Sequence, residues 1–256
     1  MTTTITESNE NTSGFTKNLN LDKHISRRFN EELEQLRTLV MKMGALVEQQ
    51  VNDGLSAVLN ADSKLAVKVI ERDHEVNTME LEIDEYCTQV LARRQPAASD
   101  LRLIVSILKS ITDLERMGDE SVKFGRNAIK LAKGNFAEEE GSRPLVELKH
   151  LGKHVSETLN KALRAYAEMD VEAALDIIKN DNIVDEEFDN ISRLLVTKMM
   201  ENPREIKNAL RVTWCARALE RIGDHTTNLC EYIVYLVEGK DVRHSTIEQI
   251  KASMSN

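Results

Sequence analysis

The chain is short of several things, and each shortage closes off a class of protein. Aromatic residues make up 4% of its 256 positions and prolines number 3, which leaves a composition led by helix formers such as Leu, Ala, Glu, Lys and Met. The 3 cysteines, Cys87, Cys215 and Cys230, are odd in number and include no CxxC pair. Neither a disulfide framework nor a zinc ribbon is expected, and a reducing cytosol fits. No run of about 18 uncharged apolar residues occurs, so no segment is expected to span a bilayer and any membrane association goes through a partner. The N-terminal MTTTITESNENTSGFTKN has no apolar core of the kind a secretory signal carries. A cationic excess is lacking too: 34 Lys+Arg stand against 43 Asp+Glu, a net charge of −9, which argues against nucleic acid as a partner.

What is present is helical periodicity, written twice. Residues 1–20 are polar and are expected to form a disordered tail, as is the stretch 241–256. Leu36, Leu39, Val40, Met43, Val47, Val51, Leu55 and Val58 recur at three and four residues. Asp62 or Ser63 is placed to cap a second helix, Pro96 to end it, and a third starts near Ser99 and runs to a stop at Gly134. A linker with Gly141 and Pro144 follows at 136–144. Beyond it the pattern repeats: Gly44 and Gly152, Asn52 and Asn160, Asp62 and Asp170, and Asp73 and Asp181 are each 108 apart. LERMGDE (114–120) returns as LERIGDH (219–225), at an offset of 105. A three-residue deletion near Pro96 and Pro203 accounts for the difference. The expected architecture is all-α: two tandem, pseudo-symmetric three-helix bundles from an internal duplication, at 21–135 and 145–240.

The repeated acidic phrase sets Glu115 and Asp119, and again Glu220 and Asp224, four apart on one helical face. Like charges there repel by a few tenths of a kcal/mol. Both carboxylates flank the apolar stripe of Ile111, Leu114, Gly118 and Val122. The middle helix of the second unit offers Asp181 and Asp185. The first offers Asp73, with Asn77 where a second carboxylate would stand. Antiparallel packing of the second and third helices of a unit would bring these sets together as a hard-oxygen site for Mg, Mn, Ca or Fe, the better one in the second unit. Salt bridges to Arg or Lys from a neighbouring helix would use the same carboxylates, and spacing leaves both open. Arg116 and Arg221 adjoin the glutamates but do not face them. Gly118 and Gly223, costing about 1 kcal/mol each in a helix, point to close helix–helix approach, as do Gly44 and Gly152.

Other features have bland readings. Glu71 with His74, and Glu147 with His150, match the Glu-x-x-His of carboxylate-bridged di-metal bundles, but they are not equivalent by the repeat and fall in different bundles. Arg93 and Arg94 read as a solvated helix end rather than a phosphate cradle. His225 adjoins Asp224 and could approach a bound metal. Trp214 and Cys215 read as packing residues. No P-loop, HExxH or GxSxG motif is present, which fits a non-catalytic protein.

The phrases LERMGDE and LERIGDH, together with LNLDKHISRRFNEELEQLRT, ARRQPAASDLRL, CARALERIGDHTTNLCEYIVYLVEG and DVRH, resemble the PhoU family, accessory regulators of bacterial high-affinity phosphate transport. The resemblance covers about residues 18–244. It implies two three-helix bundles, a homodimer, and a cytoplasmic location at the inner face of the membrane, held there through partners. It also implies a non-enzymatic role: limiting phosphate uptake, and holding off the phosphate-starvation response by linking the ATPase subunit of the phosphate ABC transporter to a sensor histidine kinase. No cofactor is required, but divalent or iron ions are implied at Glu115, Asp119, Asp181, Asp185, Glu220, Asp224 and Asp73. Asn77 departs from that pattern. The alternative is a carboxylate-bridged di-metal bundle with a redox or storage role.

Overall fold

The computed structural model describes residues 27–133, 143–243, 245 and 249–250. The tail expected at 1–20, the stop at Gly134 and most of the linker lie outside them. Among the described residues there are helices and no strand. In chain order they are α1 (Arg27–Leu59), α2 (Ser63–Arg94), α3 (Ala98–Ala132), α4 (Arg143–Glu168), α5 (Val171–Lys179), α6 (Asn182–Glu201), a 3-10 turn (Pro203–Glu205) and α7 (Ile206–Glu238). None is long and apolar enough to cross a membrane.

Local chemistry sets the boundaries. Asp62 Oδ1 accepts from the amides of Lys64 at 2.9 Å and Leu65 at 3.0 Å. Its repeat counterpart Asp170 accepts from Ala173 N–H at 3.0 Å, so both middle helices start on the same cap. Gln95, just before Pro96, turns into the left-handed region at φ 49° and ends α2, as Gly239 at φ 72° ends α7.

Three details differ from the sequence reading. The middle helix of the second unit is two helices, because around Asn180 the backbone bonds tighten to i−3: Asn180 to Ile177, Ile183 to Asn180 and Val184 to Asp181. The Asn180 amide also caps the Asp176 carbonyl at 2.8 Å, the local bonding that makes Asn a helix terminator. Pro144 belongs to the first turn of α4 rather than to the linker, a position where its missing N–H costs nothing. Trp214 is not a packing residue: it is 52% exposed, while Cys215 beside it is fully buried.

Each unit packs its first and middle helices on its third, and the units meet through α1 against α4 and α3 against α7. One continuous apolar core results, with Leu36, Met43, Val47, Ile107, Leu114 and Phe124 from the first unit and Leu151, Val155, Leu159, Val212, Leu219 and Ile233 from the second. The α3–α7 seam is antiparallel. Arg102 Nε reaches Leu236 O at 3.5 Å near one end, Arg221 meets Glu120 at 3.2 Å near the middle, and Arg211 donates to Lys130 O at 2.8 Å at the other end. Leu163 lies over Gly44 and Leu55 over Gly152. The two contacts are each other's repeat image, and they confirm close approach at both glycines.

Candidate metal-binding clusters

In the second unit α6 runs alongside α7, and the acidic phrase of α7 faces the start of α6. Asp185, Glu220 and Asp224 each place a carboxylate oxygen within 4.8 Å of the others. Among the described residues this is the one group of three or more metal-ligating side chains so placed. Gly223 lets α6 come near: a Cβ there would stand 3.1 Å from Val184 Cγ1. Asp181, at the α5–α6 break, accepts from the Thr227 hydroxyl at 2.7 Å. It adds its charge to Asp224 rather than joining the trio.

Glu220 is 7% exposed. One of its oxygens takes Arg217 NH1 at 2.7 Å. The other, Oε2, is buried with no hydrogen-bond partner. Burial, then the neighbouring Asp224, pushes the Glu220 carboxyl above its ordinary value. Loss of solvent, then Asp181 and Asp185, does the same to Asp224 at the rim. Among the described residues no ion pair reaches Asp185 or Asp224, and the one at Glu220 comes from its own helix. Arg221 turns away to Glu120 of α3.

The first unit repeats the plan in altered form. Asp73 of α2 faces Glu115 and Asp119 of α3, and its carboxyl is raised by burial and by Asp119. Glu115 is raised by burial, then by Asp119 and Glu80. Gly118 leaves Asp73 Oδ1 3.3 Å, and Gln50 Oε1 3.4 Å, from where a Cβ would stand. Asn77 Nδ2 donates to Asp73 Oδ2 at 3.4 Å. Gln50, fully buried on α1, donates to Val69 O at 3.1 Å. The oxygens of Gln50 and Asn77 are buried without a partner. Arg116 comes no nearer to Glu115 than 3.7 Å, beyond hydrogen-bond reach.

Sequence reasoning missed Glu80 and Gln50. Glu80 stands three residues after Asn77 and seven after Asp73, so its place on the same α2 face was legible. Gln50 comes from α1, and nothing in its local spacing announces it. His225 is a correction. Its Nδ1 lies 2.7 Å from Asp113 Oδ1, so it faces α3 instead of the acidic trio. The Glu-x-x-His pairs keep their bland reading: Glu71 and His74 are exposed on α2, while His150 is exposed on α4, and neither pair joins the acidic trio. Arg94 is held by both oxygens of Glu32, at 2.8 and 2.9 Å, and so is no free anion cradle.

The donors in both clusters are oxygens, the set that suits hard cations. A spread of up to 4.8 Å between ligand atoms matches oxygens on opposite sides of an ion bound at about 2.0–2.6 Å. The orphaned Glu220 Oε2, which otherwise carries the cost of an unmet buried acceptor, supplies a donor already stripped of partners.

Comparison with known proteins returns one family. Residues 40–128 and 148–233 each match the PhoU domain. The chain is 49% identical over 236 residues to the phosphate-specific transport system accessory protein PhoU homolog of Pseudomonas aeruginosa, covering 92% of this chain and 96% of that one. It is 48% identical over 227 residues to the phosphate-specific transport system accessory protein PhoU of Escherichia coli K12, covering 88% and 92%. The crystal structure of PhoU from Pseudomonas aeruginosa superposes with a TM-score of 0.78 at 50% identity, covering 83% of this chain and all of that one. The phosphate transport system regulatory protein PhoU from Streptococcus pneumoniae gives 0.75 at 29% identity, covering 84% and 99%.

Proposed function

Because this chain belongs to the PhoU domain family, with both halves matched, we propose that it is an accessory regulator of phosphate transport that holds the phosphate-starvation response off. In this reading it links the ATPase subunit of the phosphate ABC transporter to a membrane sensor histidine kinase and restrains uptake when phosphate is ample. It works without catalysis, as a homodimer at the inner face of the membrane. The observation that carries the reading is the extent of the likeness: it runs through both repeats and nearly the whole length of relatives named as transport accessory proteins. A regulator of this kind acts by differential affinity, binding one state of its partner better than another.

The acidic clusters give the reading a second part. Asp185, Glu220 and Asp224 hold a divalent or iron ion, with Asp181 beside them. Asp73, Glu115 and Asp119 hold a weaker one. A bound cation would neutralise like charges that otherwise repel across the α6–α7 and α2–α3 packings. The chain's own contribution is to hold the carboxylates together and to keep Glu220 Oε2 free.

The test is a strain lacking the protein, carrying a phosphate-starvation reporter and grown in ample phosphate. Native protein should silence the reporter. A folded variant with Ala at Glu115, Asp119, Glu220 and Asp224, at equal abundance, should fail to. A reporter left on by the native protein rejects the regulatory reading. One silenced equally by both rejects the part given to the clusters.

A further inference from the structure

The duplication has left a cavity at each end of the α3–α7 seam, and the two have diverged. At one end Lys109, Thr112, Asp113, Arg116, His225 and Tyr232 line a cavity of about 460 Å³. Asp113 joins its two walls by accepting from the Tyr232 hydroxyl at 2.7 Å and from Asn228 at 3.0 Å, with His225 at 2.7 Å. Lys109 lies over the rings of Tyr232 and Tyr235. Adding the repeat offset of 105 turns Asp113 into Ala218 and Lys109 into Trp214. The anchoring carboxylate is therefore missing at the other end, and an aromatic ring stands where the cation was.

That second cavity, about 340 Å³, is lined by Lys123, Arg126, Lys130, Arg217 and Arg221, with Trp214 beside them. Its one lining carboxylate is Glu120, shared by Lys123 at 2.6 Å and Arg221 at 3.2 Å. Among the described residues no ion pair reaches Arg126 or Lys130. Arg217 is also bonded to Glu220 outside the lining at 2.7 Å, but four further cations around one lining carboxylate remain a local excess in a chain of net charge −9, and their mutual repulsion favours any polyanion that enters. Guanidinium forks match phosphate oxygens two at a time. Trp214, half exposed, offers an indole face on which a planar base can stack. The volume suits a single small molecule. The surrounding negative charge disfavours a nucleic-acid strand.

We propose that this cavity binds a nucleoside polyphosphate, with the phosphates among Arg126, Lys130 and the neighbouring cations and the base against Trp214. The site adjoins the acidic clusters, through Arg217, which bonds Glu220 at 2.7 Å, and through Arg126, whose charge acts on Asp73, but binding there needs no protein partner, so it stands or falls independently of the regulatory reading. Trp214 is the chain's single tryptophan, and its fluorescence reports the site directly. The full chain, in chelator so that cations play no part, is titrated with ATP, tripolyphosphate, orthophosphate and an acidic peptide.

ATP should change the Trp214 emission saturably, and tripolyphosphate, lacking a base to stack, should bind about tenfold more weakly. Arg126→Gln with Lys130→Gln, which breaks no ion pair among the described residues, should weaken ATP at least about tenfold in a chain that still melts in one cooperative transition. Followed by calorimetry, Trp214→Leu should weaken ATP but not tripolyphosphate. Four results would each overturn the assignment: no saturation by ATP at about 5 mM, far above a useful affinity; ATP binding untouched by the double variant; tripolyphosphate binding as tightly as ATP; or the acidic peptide displacing ATP as the tighter ligand.

Discussion

Asp113 and His225 meet across the α3–α7 seam at 2.7 Å, although no repeat partner of either makes the same contact. Asp113 also accepts from Asn228 and Tyr232, so one carboxylate organises three groups of the facing helix. Burial and Asp113 together raise the Tyr232 hydroxyl well above its ordinary value, which keeps it a donor. Asp113→Ala strands these groups in a mostly buried setting and should cost about 3 kcal/mol. Urea unfolding measures it, and an Asp113→Asn variant should lose clearly less. Equal stability of wild type and Asp113→Ala would show the network to be ornamental.

Gly125 sets a second limit. A Cβ there would stand 2.8 Å from the Ala66 carbonyl oxygen and 2.8 Å from Ile70 Cγ1, and a backbone carbonyl cannot swing aside. Gly125→Ala gains about 1 kcal/mol of helix propensity but forces α2 and α3 apart, so a net loss of about 1–3 kcal/mol is expected. Gly223→Ala, which meets only Val184 at 3.1 Å, should lose less. Melting temperatures of the two variants decide the order.

These contacts show how much of the molecule was legible in advance. The duplication, the caps at Asp62 and Asp170 and the glycine approaches follow from local rules that act within a few residues. The break at Asn180 did not, because a middle helix copied from the first unit predicts continuity, and one Asn that caps its own carbonyls overrides it. The acidic trio was legible as two pairs four apart plus an antiparallel neighbour. Gln50, Glu120 and the Asp113 network were not, because each depends on a third helix or on the other unit. Trp214 was misread for the same reason: only the seam decides whether it lies inside or out.

The raised carboxyls of Glu220 and Asp224 carry a signed pH effect. A folded-state value above the unfolded one means that the native state binds more protons in that window. These groups therefore destabilise once ionised and add stability as pH falls from neutrality towards the ordinary carboxylate value of about 4. Glu32 runs the other way, lowered by its bonds to Arg94, and its stabilising effect is lost as pH falls through that lowered value. In chelator, Glu220→Gln should melt higher than wild type at neutral pH, and the two curves should converge on acidification. A variant that melts lower at neutral pH would mean that the Arg217 pairing outweighs the repulsion.

The two repeats differ at the position that is Asn77 in one and Asp185 in the other, and that difference yields the sharpest test of the cation reading. In chelator, Asn77→Asp adds a carboxylate beside Asp73, in a cluster where burial and the charge of Asp119 already raise the carboxyls of Asp73, Glu80 and Glu115. It should lower the melting temperature. Divalent cation should then restore it, and by more than in wild type, since ligand that binds only the folded state adds about 2.7 kcal/mol at a hundred times its dissociation constant. Asp185→Asn makes the reverse change: it relieves repulsion in chelator and should remove most of the cation-dependent rise. If Asn77→Asp is not rescued by Mg, Mn, Ca or Fe, and Asp185→Asn keeps the wild-type response, the carboxylates are a charged surface and no ion site. Opposite shifts in the two variants, each tracking the number of carboxylates in its cluster, would instead tie cation binding to the oxygens that α2 and α3, or α6 and α7, hold together.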